Sequence, residues 1–412
     1  MADAQQLMVE EDFEFLLTFL PSGWEEKARE LGALRRCRKV PDARVLLRVL
    51  LIHLAEGCSL RETAARAKHG GLLAVSDVTI MDRLRCAGEW FRWMSAELMS
   101  RWVTRQPPGV LGGPWRVRVV DGTHVTEPGP TGSSWRLHYA VDLPSLRCSE
   151  LHLTDTVGEG SAETFGRFKV VPGDLFLGDR AYGLASSIAH VAAGGGDSLT
   201  RFTGHTLPLW VNSQEPFDLL AHLRTLHGVA VGDWRAGVKH DDRLIPGRVC
   251  AVKRSRQAAE AAQHQARRCA IKHGRQIRPE TLEAAQYVFV FTTVSRPRLS
   301  PTRALEFYRG RWQVELVFKR LKSILGLGHL RKADQQAARS WLHGKLFVAF
   351  LVEALLGYGE TFSPWGYPLC PAPGTQPLPL AGTSLPPASP AAGGQPASEP
   401  PGMPRQLGRS LP

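Results

Sequence analysis

The segment Tyr308-Arg-Gly-Arg-Trp-Gln-Val-Glu-Leu-Val-Phe-Lys-Arg-Leu-Lys322 places Tyr308, Arg311, Glu315 and Lys322 at offsets 0, 3, 7 and 14. On a helix of about 3.6 residues per turn these four fall within about 60° of one another. Val314, Val317, Leu321, Ile324 and Leu325 gather on the opposite side, so the helix has a core stripe and its polar stripe is left to face something else. One acid among two bases and an aromatic suits a phosphate held with a metal ion. A solvated face on which Glu315 makes ordinary i,i+4 pairs fits the same pattern, and the segment alone leaves both readings open.

Two further acids stand where strands would present them. Trp115-Arg-Val-Arg-Val-Val-Asp121 reads as a β-strand ending on an acid, followed by the turn signal Gly122-Thr123. Asp174-Leu-Phe-Leu-Gly-Asp179 repeats that layout, with a helix expected after Arg180-Ala-Tyr-Gly183. Two aspartates at strand ends and a glutamate on a helix make a carboxylate triad. Its hard oxygen ligands suit Mg²⁺ or Mn²⁺, and two such ions can clamp the attacking and leaving oxygens of an in-line phosphoryl displacement.

These blocks resemble the DDE transposases of bacterial insertion sequences, particularly the insertion sequence four family, whose third acid sits in a Tyr-(2)-Arg-(3)-Glu-(6)-Lys motif. All four positions match, and Val-Val-Asp121-Gly-Thr and Gly-Asp179-Arg-Ala-Tyr are similar to the blocks of the first two acids. The resemblance covers roughly residues 30 to 355. It implies Asp121, Asp179 and Glu315 as catalytic residues and metal ligands, with two Mg²⁺ ions for which Mn²⁺ can substitute. Tyr308, Arg311 and Lys322 would contact DNA. Arg201 follows the second aspartate where relatives place a DNA-contacting arginine. Tyr287 stands where related enzymes carry a tryptophan that stacks on a flipped base. Its position at the start of Tyr-Val-Phe-Val-Phe favours a packed core residue instead.

A chain of 412 residues with a net charge of +12 and a pI near 9.6 suits a polyanionic partner. No signal peptide and no bilayer-length apolar stretch is evident; the most apolar run, Leu346 to Leu356, is short and carries Glu353. A cytoplasmic protein, associated with the nucleoid when bound to DNA, is expected, with no membrane partner. The seven cysteines are odd in number and scattered, as in a reducing compartment. The fourteen histidines show no zinc-ligand spacing, and His124 reads as a neighbour of the site.

The expected fold class is α/β: an RNase H-like catalytic domain interrupted by a β-rich insertion, with a helical N-terminal DNA-binding domain. Residues 1–110 would form the last of these. Asp42 to Ala55, Ser59 to Ala67 and a third helix capped by Ser76-Asp77 and carrying Arg83, Arg85, Trp90, Phe91 and Trp93 suggest a helix-turn-helix, or equally a plain bundle. Residues 114–182 would be the first half of the catalytic domain, with strands at Trp115 to Val120, Ser134 to Asp142 and Leu146 to Thr156. A helix near Ala162 to Lys169 and the strand to Asp179 would follow. In an RNase H-like fold the first and fourth strands are neighbours, which would bring Asp121 to Asp179. Residues 183–300 would be the β-rich insertion, with strand-like runs at Val229 to Trp234, Arg248 to Lys253 and Tyr287 to Thr293 and a polar helix from Arg256 to His273. Residues 301–358 would supply the catalytic domain's C-terminal helices.

Residues 359–412 hold about half of the chain's prolines amid Gly, Ala and Ser and should be disordered. This departs from the family's helical C-terminal region. A truncated or frame-disrupted end and a natural flexible tail both fit.

The resulting expectation is a transposase that cuts double-stranded DNA at transposon terminal repeats and joins the freed 3′-OH to target DNA, as a homodimer on both ends. A metal-dependent nuclease without strand transfer, and a relic that only binds DNA, are the alternatives.

Overall fold

The computed structural model describes residues 11–35, 39–103, 115–126, 134–143, 147–155, 162–311, 319, 326 and 334–361. Short polar side chains start the N-terminal helices. Asp42, Ser59 and Ser76 accept from the N–H groups of Val45, Glu62 and Thr79 at 2.8, 3.1 and 3.3 Å, opening helices Ala43–Ala55, Leu60–His69 and Asp77–Cys86. Each cap satisfies a donor that has no partner within its helix. The third helix does not run on to Trp93 as expected; it ends at Cys86, and helix Gly88–Val103 begins anew. A Cβ on Gly88 would stand 2.6 Å from Ser340 Oγ, so the chain passes tightly against the long helix Gln335–Thr361 at this point.

That long helix fills the middle of the helical layer. At Gly344 a Cβ would come within 2.6 Å of Leu54 Cδ1, and Phe347 stacks on Phe91 at 5.6 Å. Trp90 is fully buried and donates its indole N–H to the Trp24 carbonyl at 2.8 Å. Trp90 and Phe91 are therefore core residues, and one hydrophobic cluster runs from Leu20 through Phe347 to Val117 and Tyr139 of the sheet. Arg85 pairs with Asp334 at 3.0 Å. Among the described residues no helix is long and apolar enough to cross a membrane.

Burial of His343, with Arg339 adding repulsion against the attraction of Glu89, lowers its pKa to about 4. Below the unfolded value of about 6.5 the unfolded chain takes a proton that the folded chain refuses, so stability falls with acidification until about pH 4 is reached. Unfolding free energies of the wild type and His343→Gln from urea titration are expected to diverge across this window, by about 1.4 kcal/mol per pH unit. Parallel curves would refute the assignment.

Among the described residues the sheet has nine strands, ordered β3-β2-β1-β4-β5-β9-β8-β7-β6. They are β1 (Arg116–Thr126), β2 (Ser134–Leu143), β3 (Arg147–Asp155), β4 (Asp174–Gly178), β5 (Asp197–Arg201), β6 (Leu209–Trp210), β7 (Val231–His240), β8 (Arg243–Lys253) and β9 (Tyr287–Thr292). β1, β2 and β3 form an antiparallel meander, and β4 joins β1 in parallel. All five residues of β4 are buried, as befits an apolar central strand covered on both faces. The β-rich residues after β5 enter the same sheet, because β9 pairs with both β5 and β8.

Two local expectations are corrected. β1 does not stop at Asp121: pairing with β2 carries it on to Thr126. The helix expected near Ala162 to Lys169 is a single 3₁₀ turn, Phe165–Arg167. Gly166 disfavours helix, and burying both Phe165 and Phe168 takes Phe168 into extended backbone.

One buried ion network sets how β1 meets its neighbours. Arg118, 2% exposed, donates to Glu150 of β3 at 2.8 Å and to the Lys169 carbonyl at 2.7 Å. It lies 3.8 Å from Asp142 of β2 and 3.7 Å from Asp174 of β4. Asp174 also holds Arg116 at 2.7 Å. Four segments are thus tied to one guanidinium.

Candidate functional site

The register places the acids. The last β1–β4 pair is Val119↔Leu177, so two equal steps further along parallel strands bring Asp121 level with Asp179. Strands neighbour each other at about 4.8 Å. β4 pairs Gly178 with Thr200 of β5, which puts Arg201 level with Asp179 in turn. Carboxylate, carboxylate and guanidinium therefore stand level on three adjacent strands, midway along β1, just past β4 and at the end of β5.

Each carboxylate is steadied through one oxygen by the backbone. Asp121 Oδ1 accepts from the Gly122 N–H at 2.8 Å, and Asp179 Oδ1 accepts from the Ala181 N–H at 2.9 Å. Arg311 donates to Asp121 Oδ2 at 3.3 Å. The helix bearing Tyr308, Pro301–Gly310, ends with Arg311 as its C-cap residue, so the continuous polar stripe is observed only as far as these two residues. Arg311 lies 5.9 Å over the Tyr308 ring. Glu315 and Lys322 lie outside the described residues.

Arg201 has its pKa lowered by burial and by Arg180, with the Tyr308 hydroxyl opposing that shift. Tyr287 is 5% exposed and packs in the second core cluster with Phe289 and Phe291. Its ring is a core element, with the Lys253 ammonium 5.9 Å away. His124 is bonded to Arg136 Nη2 at 2.6 Å.

Glu163 was missed by sequence reasoning. It lies in the loop before the 3₁₀ turn, and a Cβ on Gly122 would meet its Oε1 at 3.0 Å; glycine after Asp121 lets this carboxylate pass close to the backbone. Burial raises the Glu163 pKa, and the negative charges of Asp179 and Asp121 add to that against Arg136. Nearby, the Tyr182 ring stacks on Phe165 at 5.1 Å. Its buried hydroxyl has no hydrogen-bond partner among the described residues. Burial, reinforced by Glu163, Asp121 and Asp179, pushes that phenol well up. No sequence signal marks Glu163, since it belongs to no motif and only the fold brings it to Gly122.

Asp121 and Asp179 offer hard oxygens, the donor chemistry that Mg²⁺ or Mn²⁺ takes. Among the described residues no three His, Cys, Asp or Glu side chains form a group able to hold a metal ion. Glu163 brings a third carboxylate against Gly122 without completing such a group among the described residues.

Residues 113–351 match the family described as Transposase DDE domain. The chain is similar to the putative transposase InsL for insertion sequence element IS186A of Escherichia coli strain K12, with 32% identity over 352 residues, 84% of this chain and 93% of that protein. It is likewise 32% identical, over 353 residues and the same shares, to the transposase for insertion sequence element IS421 of Escherichia coli.

Proposed function

Because the chain belongs to the DDE transposases of bacterial insertion sequences, we propose that Asp121, Asp179 and Glu315 are the carboxylates at which it cuts and joins DNA. The enzyme is a DNA transposase; one observation supports the assignment of its chemistry to Asp121 and Asp179, the β1–β4–β5 register that sets them level with Arg201, while Glu315 is assigned from its place in the Tyr-Arg-Glu-Lys spacing. The order of β1 to β4, a meander followed by a parallel neighbour of β1, supports an RNase H-like catalytic domain.

The three carboxylates would hold two Mg²⁺ ions, for which Mn²⁺ can substitute. Such ions activate the attacking oxygen and stabilise the leaving one. In the first step a water oxygen attacks phosphorus at the transposon end, the P–O3′ bond breaks, and the 3′-oxygen leaves to become a 3′-OH. In the second, that 3′-OH attacks a target phosphodiester and displaces the target's own 3′-oxygen. Throughout, the protein positions the phosphate and neutralises charge. Arg311, beside Asp121, presents a planar fork to a phosphate oxygen, and Lys322 a point charge. Arg201 receives the adjoining phosphate, and Tyr308 donates a hydrogen bond to a terminal one. Since the two transposon ends must be handled together, a homodimer on paired ends is the acting form.

The test is a duplex carrying the element's own terminal repeat, incubated with the full chain and Mg²⁺ or Mn²⁺, followed by a pre-cut end offered with target DNA. Cleavage at the repeat and joined products are expected. Cleavage without joining would reduce the protein to a nuclease, and tight binding without cleavage to a DNA-binding relic.

A further inference from the structure

This protein pairs its deeply buried arginines thoroughly. Arg118 meets Glu150, Asp142 and Asp174. Arg248, 4% exposed, holds Asp233 at 3.0 Å and the Val294 carbonyl at 2.8 Å. Three other arginines are treated differently. Arg180, Arg201 and Arg254 make no ion pair among the described residues, although Arg201 and Arg254 are half-buried. Arg254 Nε is buried without any hydrogen-bond partner there. A buried guanidinium without an anion is costly, and placing such groups close together costs more.

The topology brings these three to the acids. β5 and β8 both flank β9 antiparallel, and Val290 of β9 is level with Arg201 on one side and with Cys250 on the other. β1, β4, β5 and β8 therefore end on the same side of the sheet. In spatial order that side carries Asp121, then Asp179 with Arg180, then Arg201, then Arg254 just past Lys253. Arg254 is anchored there by its N–H to the Gln286 carbonyl at 2.8 Å. Arg201 lies close enough to Arg254 to depress its ionisation, after burial itself, and Arg180 acts likewise on Arg201. This side of the sheet thus passes from carboxylates, which suit metal, to guanidiniums that make no ion pair among the described residues, which suit phosphates.

We infer that Arg180, Arg201 and Arg254 form one phosphate track, which grips the DNA backbone flanking the bond presented to Asp121 and Asp179. The inference rests on the transposase reading and adds Arg180 and Arg254 to it. Guanidinium forks match phosphate oxygens bidentately, so one backbone would satisfy all three side chains and relieve their mutual repulsion. Contacts of this kind fix position and carry no base information.

The test uses the full chain and a fluorescent duplex carrying the terminal repeat, with dissociation constants measured across a salt series. Arg254→Gln and Arg180→Gln are each expected to weaken binding several-fold at fixed salt and to lower the slope of log K against log salt by about 0.9. The loss should be equal on an unrelated duplex. Arg298→Gln is the control: Arg298 is paired with Asp197 at 2.9 Å at the opposite end of β5, and its removal should leave the slope unchanged. Wild-type slopes in folded Arg254→Gln and Arg180→Gln would overturn the track. If Arg254→Gln fails to fold, the exposed Arg180 decides alone, and an unchanged slope there sinks the proposal. A wild type that binds no duplex would remove the transposase reading, and the track with it.

Discussion

Asp179→Ala is expected to lower cleavage at the transposon end by about three orders of magnitude or more, while affinity for the terminal repeat stays within about threefold. Removing a metal-holding carboxylate forfeits several kcal/mol of transition-state stabilisation, and each 1.4 kcal/mol or so is tenfold in rate. Binding is spared because it draws on phosphate contacts from arginines and lysines, and among the described residues Asp179 makes no ion pair; its Oδ1 accepts the Ala181 N–H. Asp121→Ala should lose cleavage equally and also release Arg311, which donates to Asp121 at 3.3 Å. Glu315→Ala should match both. Glu163→Ala separates a neighbour from a ligand: its cleavage defect should be clearly smaller than that of Glu315→Ala. Equal loss of binding and cleavage in the three acid variants would count against their role as ligands. A Glu163 defect as deep as the others would make it one of the ligands.

Arg118→Ala is expected to be the most damaging single change to stability away from the site, costing about 3–5 kcal/mol. The loss comes from what is left behind. Glu150, Asp142 and Asp174 would remain in a buried cluster without the guanidinium that lies 2.8, 3.8 and 3.7 Å from them. Its contact 4.9 Å over the Phe176 ring would go as well. The readout is the urea midpoint with an unchanged m-value, measured without DNA. A loss below about 1 kcal/mol would mean that water or Arg116 compensates. The network ties β2, β3, β4 and the Lys169 segment to β1, so its failure should also disturb the alignment of Asp121 with Asp179.

Several features could be read from local order alone. The caps at Ser59 and Ser76 were legible because a cap is satisfied within three residues. The strands β2, β3 and β9 were legible within a residue or two at their ends, since their apolar runs lie between turn residues. Asp121 and Asp179 were legible as acids beside apolar strands, and Tyr308 and Arg311 from helical spacing.

What escaped prediction depended on partners distant in the chain. Gly122-Thr123 looks like a turn, yet ten paired positions with β2 hold β1 straight through it. The single helix expected from Ser76 to Trp93 divides because Gly88 must fit against Ser340. Glu163 and Arg254 belong to no motif. They reach the site because the Glu163 side chain lies over the Gly122 backbone and because β9 seats itself between β5 and β8. Residue types, helical periodicity and the order of the three acids were thus already written along the chain, for these depend on neighbours a few positions away. The juxtaposition of carboxylates with arginines that make no ion pair among the described residues was not. It follows from strand register, and register is chosen by long-range pairing and buried contacts such as those of Arg118, which no local pattern encodes.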